Sequence, residues 1–148
     1  MRLLGHISEE KPGLQRLATS PAVYWIALLA LCGAYLQGGI TKALDFQAAV
    51  AEMAHFGLEP AQPFALAVIV LELGASFLIL AGFYRWIGAL ALAGFTAMAA
   101  FLANAFWLAD ETDRLRLMNA FMEHFGLAGG FILVAWHDIK QGIARTRS

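Results

Sequence analysis

One cysteine, Cys32, stands in the whole chain, inside an apolar run. That excludes an intramolecular disulfide, a CxxC redox pair and an iron–sulfur site held within the chain. Charge is scarce as well. Asp, Glu, Lys and Arg make up 14% of the residues, against about 25% in ordinary soluble domains. With a formal net charge of −1, there is no basic surface to attract a nucleic acid. Familiar chemical motifs are missing too. There is no P-loop or GxGxxG, no serine or cysteine in a nucleophile motif, and no His/Cys/carboxylate spacing for zinc. No metal site is expected. Haem between helices would want two histidines at one depth on different helices. Here His124 and His137 share one segment, while His6 and His55 lie in the N-terminal tail and a connecting region. The first residues carry Glu9, Glu10 and Pro12 before any long apolar stretch, which does not read as a cleaved signal peptide.

What the chain has in excess is hydrophobicity, at 60% of residues and a mean hydropathy of +0.65. Four long runs carry it. Arg16 and Lys42 bracket the first, Glu59 and Arg85 the second, Arg85 and Asp110 the third, Arg116 and His137 the fourth. Each reaches the length of about 20 residues that a helix needs to cross the hydrocarbon core. The spacing predicts spans at 22–41, 62–83, 86–108 and 117–136 within a single transmembrane domain, with tails at 1–20 and 138–148. Helix is the expected form. In lipid the backbone must satisfy its own hydrogen bonds, and no run alternates as a barrel strand would. The expected fold is an all-α membrane protein, an antiparallel bundle of four transmembrane helices.

Aromatic residues support those limits. Trp25, Trp86, Trp107 and Trp136 fall near span ends, as do Tyr24 and Tyr84, where such rings favour the membrane–water interface. Basic residues set the orientation. Arg2, Lys11, Arg16, Arg85, Lys140, Arg145 and Arg147 collect on one side, against Lys42, Arg114 and Arg116 on the other. The excess predicts cytoplasmic N- and C-termini. Between the first two spans, Phe46, Val50, Met53 and Phe56 recur about every helical turn, with Asp45 able to cap and Gly57 able to stop. A short amphipathic helix is expected there, on the outer face or dipping into the bundle mouth. Small residues such as Ala89, Ala93, Ala97, Gly126 and Gly130 allow close helix packing.

The polar groups within the spans are the candidates for function. Glu72 sits near the bilayer midplane, about 15 Å from the outer boundary at helical rise. An ionisable group there is costly unless paired, hydrated or neutralised, so it should face the bundle interior. Ser76 shares its face. Gln37 and Lys42 lie at the outer end of the first span and Asn104 near the outer end of the third. Asn119, Glu123 and His124 lie in the outer part of the fourth, with Glu123 about 9 Å below the boundary. A carboxyl, a histidine and an amide at similar depth could hold a polar pocket that moves protons or binds a small molecule. Glu72, Glu123 and His124 are the candidates for chemistry. Gln37, Lys42, Asn104 and Asn119 are the candidates for binding. Buried polar clusters also serve simply to join helices.

Some segments resemble a known family. GGITKALDF at the end of the first span, FGLEP before the second, and VLELGASFLILAGFYRWIGALAL across the second and third are similar to signatures of the DoxX family. The resemblance covers residues 25–105 and rests on Gly38, Lys42, Asp45, Glu72, Gly82 and Arg85; Tyr24 and Trp25 stand where members often carry an arginine followed by aliphatics. It implies a small four-helix protein of the bacterial inner membrane, described in that family as an oxidoreductase component. Some members are subunits of thiosulfate:quinone oxidoreductases, which makes a quinone the implied cofactor. Three readings follow. One is a redox-linked subunit binding a quinone or similar hydrophobic molecule. Another is a non-catalytic anchor or assembly partner for a second protein, or for further copies of the chain. The third is a small carrier. Whether the chain is itself an enzyme stays open at this level.

Overall fold

The structure is a computed structural model and describes residues 12–146. Of the expected tails at 1–20 and 138–148, residues 1–11 and 147–148, with Arg2, His6, Lys11 and Arg147, lie outside the described residues. A short helix α1 (Pro12–Ala18) precedes α2 (Pro21–Leu44), α3 (Phe46–His55), α4 (Ala61–Ala81), α5 (Arg85–Ala103), a 3-10 turn (Phe106–Leu108) and α6 (Glu111–Thr146). Four of these segments are long and apolar enough to cross a membrane. Their outer surfaces carry large apolar side chains such as Ile26, Val70, Phe77 and Leu133, each more than 60% exposed. Such a surface suits lipid rather than water. The chain is a membrane protein with four candidate spans.

Local chemistry sets the helix ends. Ser20 opens α2 by accepting from Val23 N, and Pro21 follows at a position that needs no N–H donor. Asp45 caps α3 as expected, its Oδ1 accepting from Ala48 N at 3.0 Å. Beyond His55, Gly57 turns into the left-handed region at φ 72°. Its N–H donates to Ala54 O, and that of Leu58 donates to Met53 O. The paired bonds form a Schellman stop, which favours glycine at that residue.

The third candidate span ends at Leu108, the limit expected from hydropathy, but it is not one helix. α5 stops at Ala103, where Asn104 leaves helical geometry at φ −122° and ψ 40°, and a 3-10 turn completes the segment. The fourth begins before residue 117 and extends beyond 136, through Thr146. Hydropathy marks where lipid contact ends. Neither end of α6 has a proline or glycine pair to break the helix, so polar turns continue it at both sides.

α4 packs between α2 and α5, and α6 packs chiefly on α5. Leu28, Cys32, Tyr35, Ile79, Leu92 and Phe131 form the main core. Gly88 permits the α4–α5 approach. A Cβ there would lie 2.6 Å from the Ala75 carbonyl oxygen, a backbone atom that cannot give way. Of the Gly126–Gly130 pair, only Gly130 meets a neighbouring helix, through Leu31. A second core cluster joins Ala49 and Met53 of α3 to Ala61 and Ala65 of α4.

Arg85 fastens one end of the bundle. Its Nε donates to Ile79 O at 2.8 Å, closing the link between α4 and α5. The guanidinium lies 5.5 Å from the Tyr24 ring centre and 5.7 Å from that of Trp25. Asp138 of α6 stands 3.8 Å from it and also accepts from Trp86 N. One planar cation thus touches α2, α4 and α6.

Candidate functional site

The polar centre of the site joins α2 to α4. Lys42 Nζ lies 3.5 Å from Glu72 Oε1 and 3.4 Å from Oε2, straddling the carboxylate. Their side chains are 16% and 7% exposed. Pairing answers the cost of an ionisable group among membrane helices. Gly38, one turn before Lys42, leaves room for the pair. A Cβ at Gly38 would touch both Glu72 oxygens and Lys42 Nζ at 3.5 Å.

A cavity of about 320 Å³ opens beside this pair. Tyr35, Phe95, Leu102 and Leu127 contribute apolar wall, while Met53 and Phe56 of α3 contribute from the loop side. Lys42, Glu72 and Thr96 bring polar groups, Glu52 adds a second carboxylate, and His124 faces the cavity from α6. The Thr96 hydroxyl donates to Leu92 O at 2.6 Å, so it accepts from the Tyr35 hydroxyl. This bond fixes the Tyr35 ring, which also packs edge-on against Phe131. His124 Nδ1 lies 2.7 Å from the Ala120 carbonyl oxygen. A carbonyl only accepts, so Nδ1 donates, and the neutral ring keeps Nε2 as an acceptor.

The sequence candidates divide. Lys42, Glu72 and His124 come together around the cavity. Glu123 and Asn119 do not; both lie on the exposed side of α6. Gln37 is exposed and donates to Thr41 Oγ1 at 3.2 Å. Asn104 is buried at the end of α5 and does not line the cavity, though the preceding Leu102 and Ala103 do. Glu123 and His124 separate because one residue along a helix turns the side chain by about 100°. Depth was readable from the sequence, and direction was not.

Other cavity residues were not singled out by sequence reasoning. Tyr35 stands seven residues before Lys42, close to the same face of α2. Thr96 extends the Ala89–Ala93 stripe in the same way. A search for polar residues in register with the charged ones would have found both. Glu52 belongs to a segment read only for its apolar face. Among the described residues, no three His, Cys, Asp or Glu side chains gather as metal ligands would.

Compared with known proteins, the chain matches the DoxX family model over residues 25–105. That region contains Lys42, Glu72, Tyr35 and Thr96, and ends before α6. The curated proteins gave no match, and neither did the solved structures.

Proposed function

Because the chain belongs to the DoxX family, we propose that it is a redox-linked subunit of a bacterial inner-membrane oxidoreductase. It binds a quinone or similar hydrophobic molecule in the cavity beside Lys42 and Glu72. In this reading the chain is a single transmembrane domain whose four spans alternate in direction. The link of only Gly82, Phe83 and Tyr84 between α4 and α5 supports that alternation. Arg16, Arg85, Lys140 and Arg145 support a cytoplasmic placement of both termini. The cavity then lies in the outer half of the bilayer, and α3 is an amphipathic lid at its mouth.

The observation that carries the proposal is the union of an apolar wall with a buried ion pair and a histidine in one cavity. Small-molecule sites have this character, apolar with a few convergent polar groups, and span about 300–1,000 Å³. At about 320 Å³ the cavity suits a ring-sized head rather than a whole isoprenoid chain. A quinone ring presents two carbonyl oxygens on opposite edges. Lys42 Nζ can donate to one. His124 Nε2, an acceptor, can serve the other edge when that edge carries the hydroxyl of the reduced ring. Glu72 holds Lys42 in place and offers a second proton site. Quinone chemistry couples two electrons to two protons. This chain's residues bind the head, exclude water around it and handle the protons, and electrons come from a redox partner.

Mass spectrometry of small molecules retained by gently purified protein tests the proposal. A quinone retained by the wild type and lost from Glu72→Gln is the expected result. An empty cavity, or a quinone retained equally by the variant, contradicts it.

A further inference from the structure

Asn119 and Glu123 are exposed on α6, yet they lie inside its apolar run. Counting from Leu117, Glu123 is about 9 Å into the hydrocarbon at helical rise. Neither side chain hydrogen-bonds or ion-pairs with any described residue. A carboxyl and an amide facing lipid are costly, and ionisable groups at such depth are nearly always covered or paired. The helical repeat puts Asn119, Glu123 and Gly126 on one stripe, facing away from Ala128, Phe131 and Ala135, which pack into the bundle. Gly126 is exposed, and a Cβ there would meet nothing within 4 Å. Another helix can therefore approach the backbone closely at this level. Met122 and Leu133 continue the face as apolar surface.

We infer that this face of α6 seats the same face of a second copy, forming a twofold homodimer within the membrane. The Asn119 amide of one protomer donates to the Glu123 carboxyl of its partner, and the converse bond forms by symmetry. A twofold interface needs a surface that complements itself, with residue i meeting j while j meets i. A donor and an acceptor one helical turn apart meet that requirement. The surface satisfies its own polar groups, and no foreign basic helix is needed. Asn119, Glu123 and Gly126 are not among the residues that line the cavity, so the dimer does not rest on the proposed ligand.

Two experiments in lipid bilayers test this. In the first, oligomeric state is measured by single-molecule photobleaching of the full chain in liposomes. The wild type is expected to be dimeric. Asn119→Ala with Glu123→Ala should dimerise about tenfold more weakly, the scale of two interhelical hydrogen bonds, while Glu123→Gln should remain dimeric because its amide oxygen still accepts. In the second, a Cys32→Ala background carries either Gly126→Cys or, on the exposed face of α4, Phe77→Cys. Gly126→Cys should give disulfide-linked dimers and Phe77→Cys should not. A monomeric wild type overturns the inference, as does a dimer unweakened by the double alanine variant. Equal cross-linking from α4 overturns it as well.

Discussion

Lys42 Nζ stands within 3.5 Å of both carboxylate oxygens of Glu72 and ties the end of α2 to the middle of α4. The contact adds an ion pair between two helices that also pack through Leu73 of α4 against Gly39 of α2. It also places the two strongest polar groups of the spans at one wall of the cavity.

Removing one member of a buried pair strands the other. Lys42→Ala and Glu72→Ala should each cost about 3 kcal/mol, read as lowered thermal unfolding in detergent. Lys42→Met with Glu72→Met should recover more than half of either loss. Additive losses in the double variant would show that the two side chains act separately.

Glycines on α5 make a controlled comparison. Gly88→Ala drives a methyl into the Ala75 carbonyl and the Leu78 side chain, 2.6 and 3.0 Å away. It should destabilise by about 1–3 kcal/mol. Gly94→Ala meets nothing within 4 Å and should be neutral or gain up to about 1 kcal/mol from helix propensity. Equal effects at the two sites would contradict the α4–α5 packing.

Arg85 should tolerate no replacement by lysine. Lysine keeps the charge but loses the Nε donor to Ile79 O and the planar face over Tyr24 and Trp25. Arg85→Lys should cost about 1–2 kcal/mol in thermal unfolding. A wild-type melting temperature would show that the charge alone suffices.

Tyr35→Phe removes the hydroxyl that donates to Thr96 and leaves the ring packed on Phe131. Thr96 keeps its bond to Leu92 O, so the loss should be about 1 kcal/mol. A loss as large as that of Tyr35→Ala would mean the hydroxyl, not the ring, holds this part of the core.

The spans were legible because lipid imposes length and composition on every segment that crosses it. Glu72 was legible for a related reason: an ionisable group near the middle of a span must turn inward. Lys42 was legible as a binding candidate at the outer end of the first span, but its pairing with Glu72 needed the packing of α2 on α4. Glu123 and His124 were equivalent to hydropathy. Only the packing of α6 against α5 separates them, turning His124 to the cavity and Glu123 to the exterior. Likewise, the end of α5 at Asn104 depends on backbone geometry that an apolar run does not encode.

Equilibrium titration of the protein in lipid nanodiscs with short-tailed ubiquinone and menaquinone analogues tests the central claim most directly. Saturable binding at one site per chain is expected. Glu72→Gln should weaken it at least about tenfold, the scale of a hydrogen bond to a charged group. Ala99 of α5 also lines the cavity, and Ala99→Leu should weaken binding by filling it. Binding that does not saturate, or that is unchanged in both variants, would contradict a quinone site beside Lys42 and Glu72.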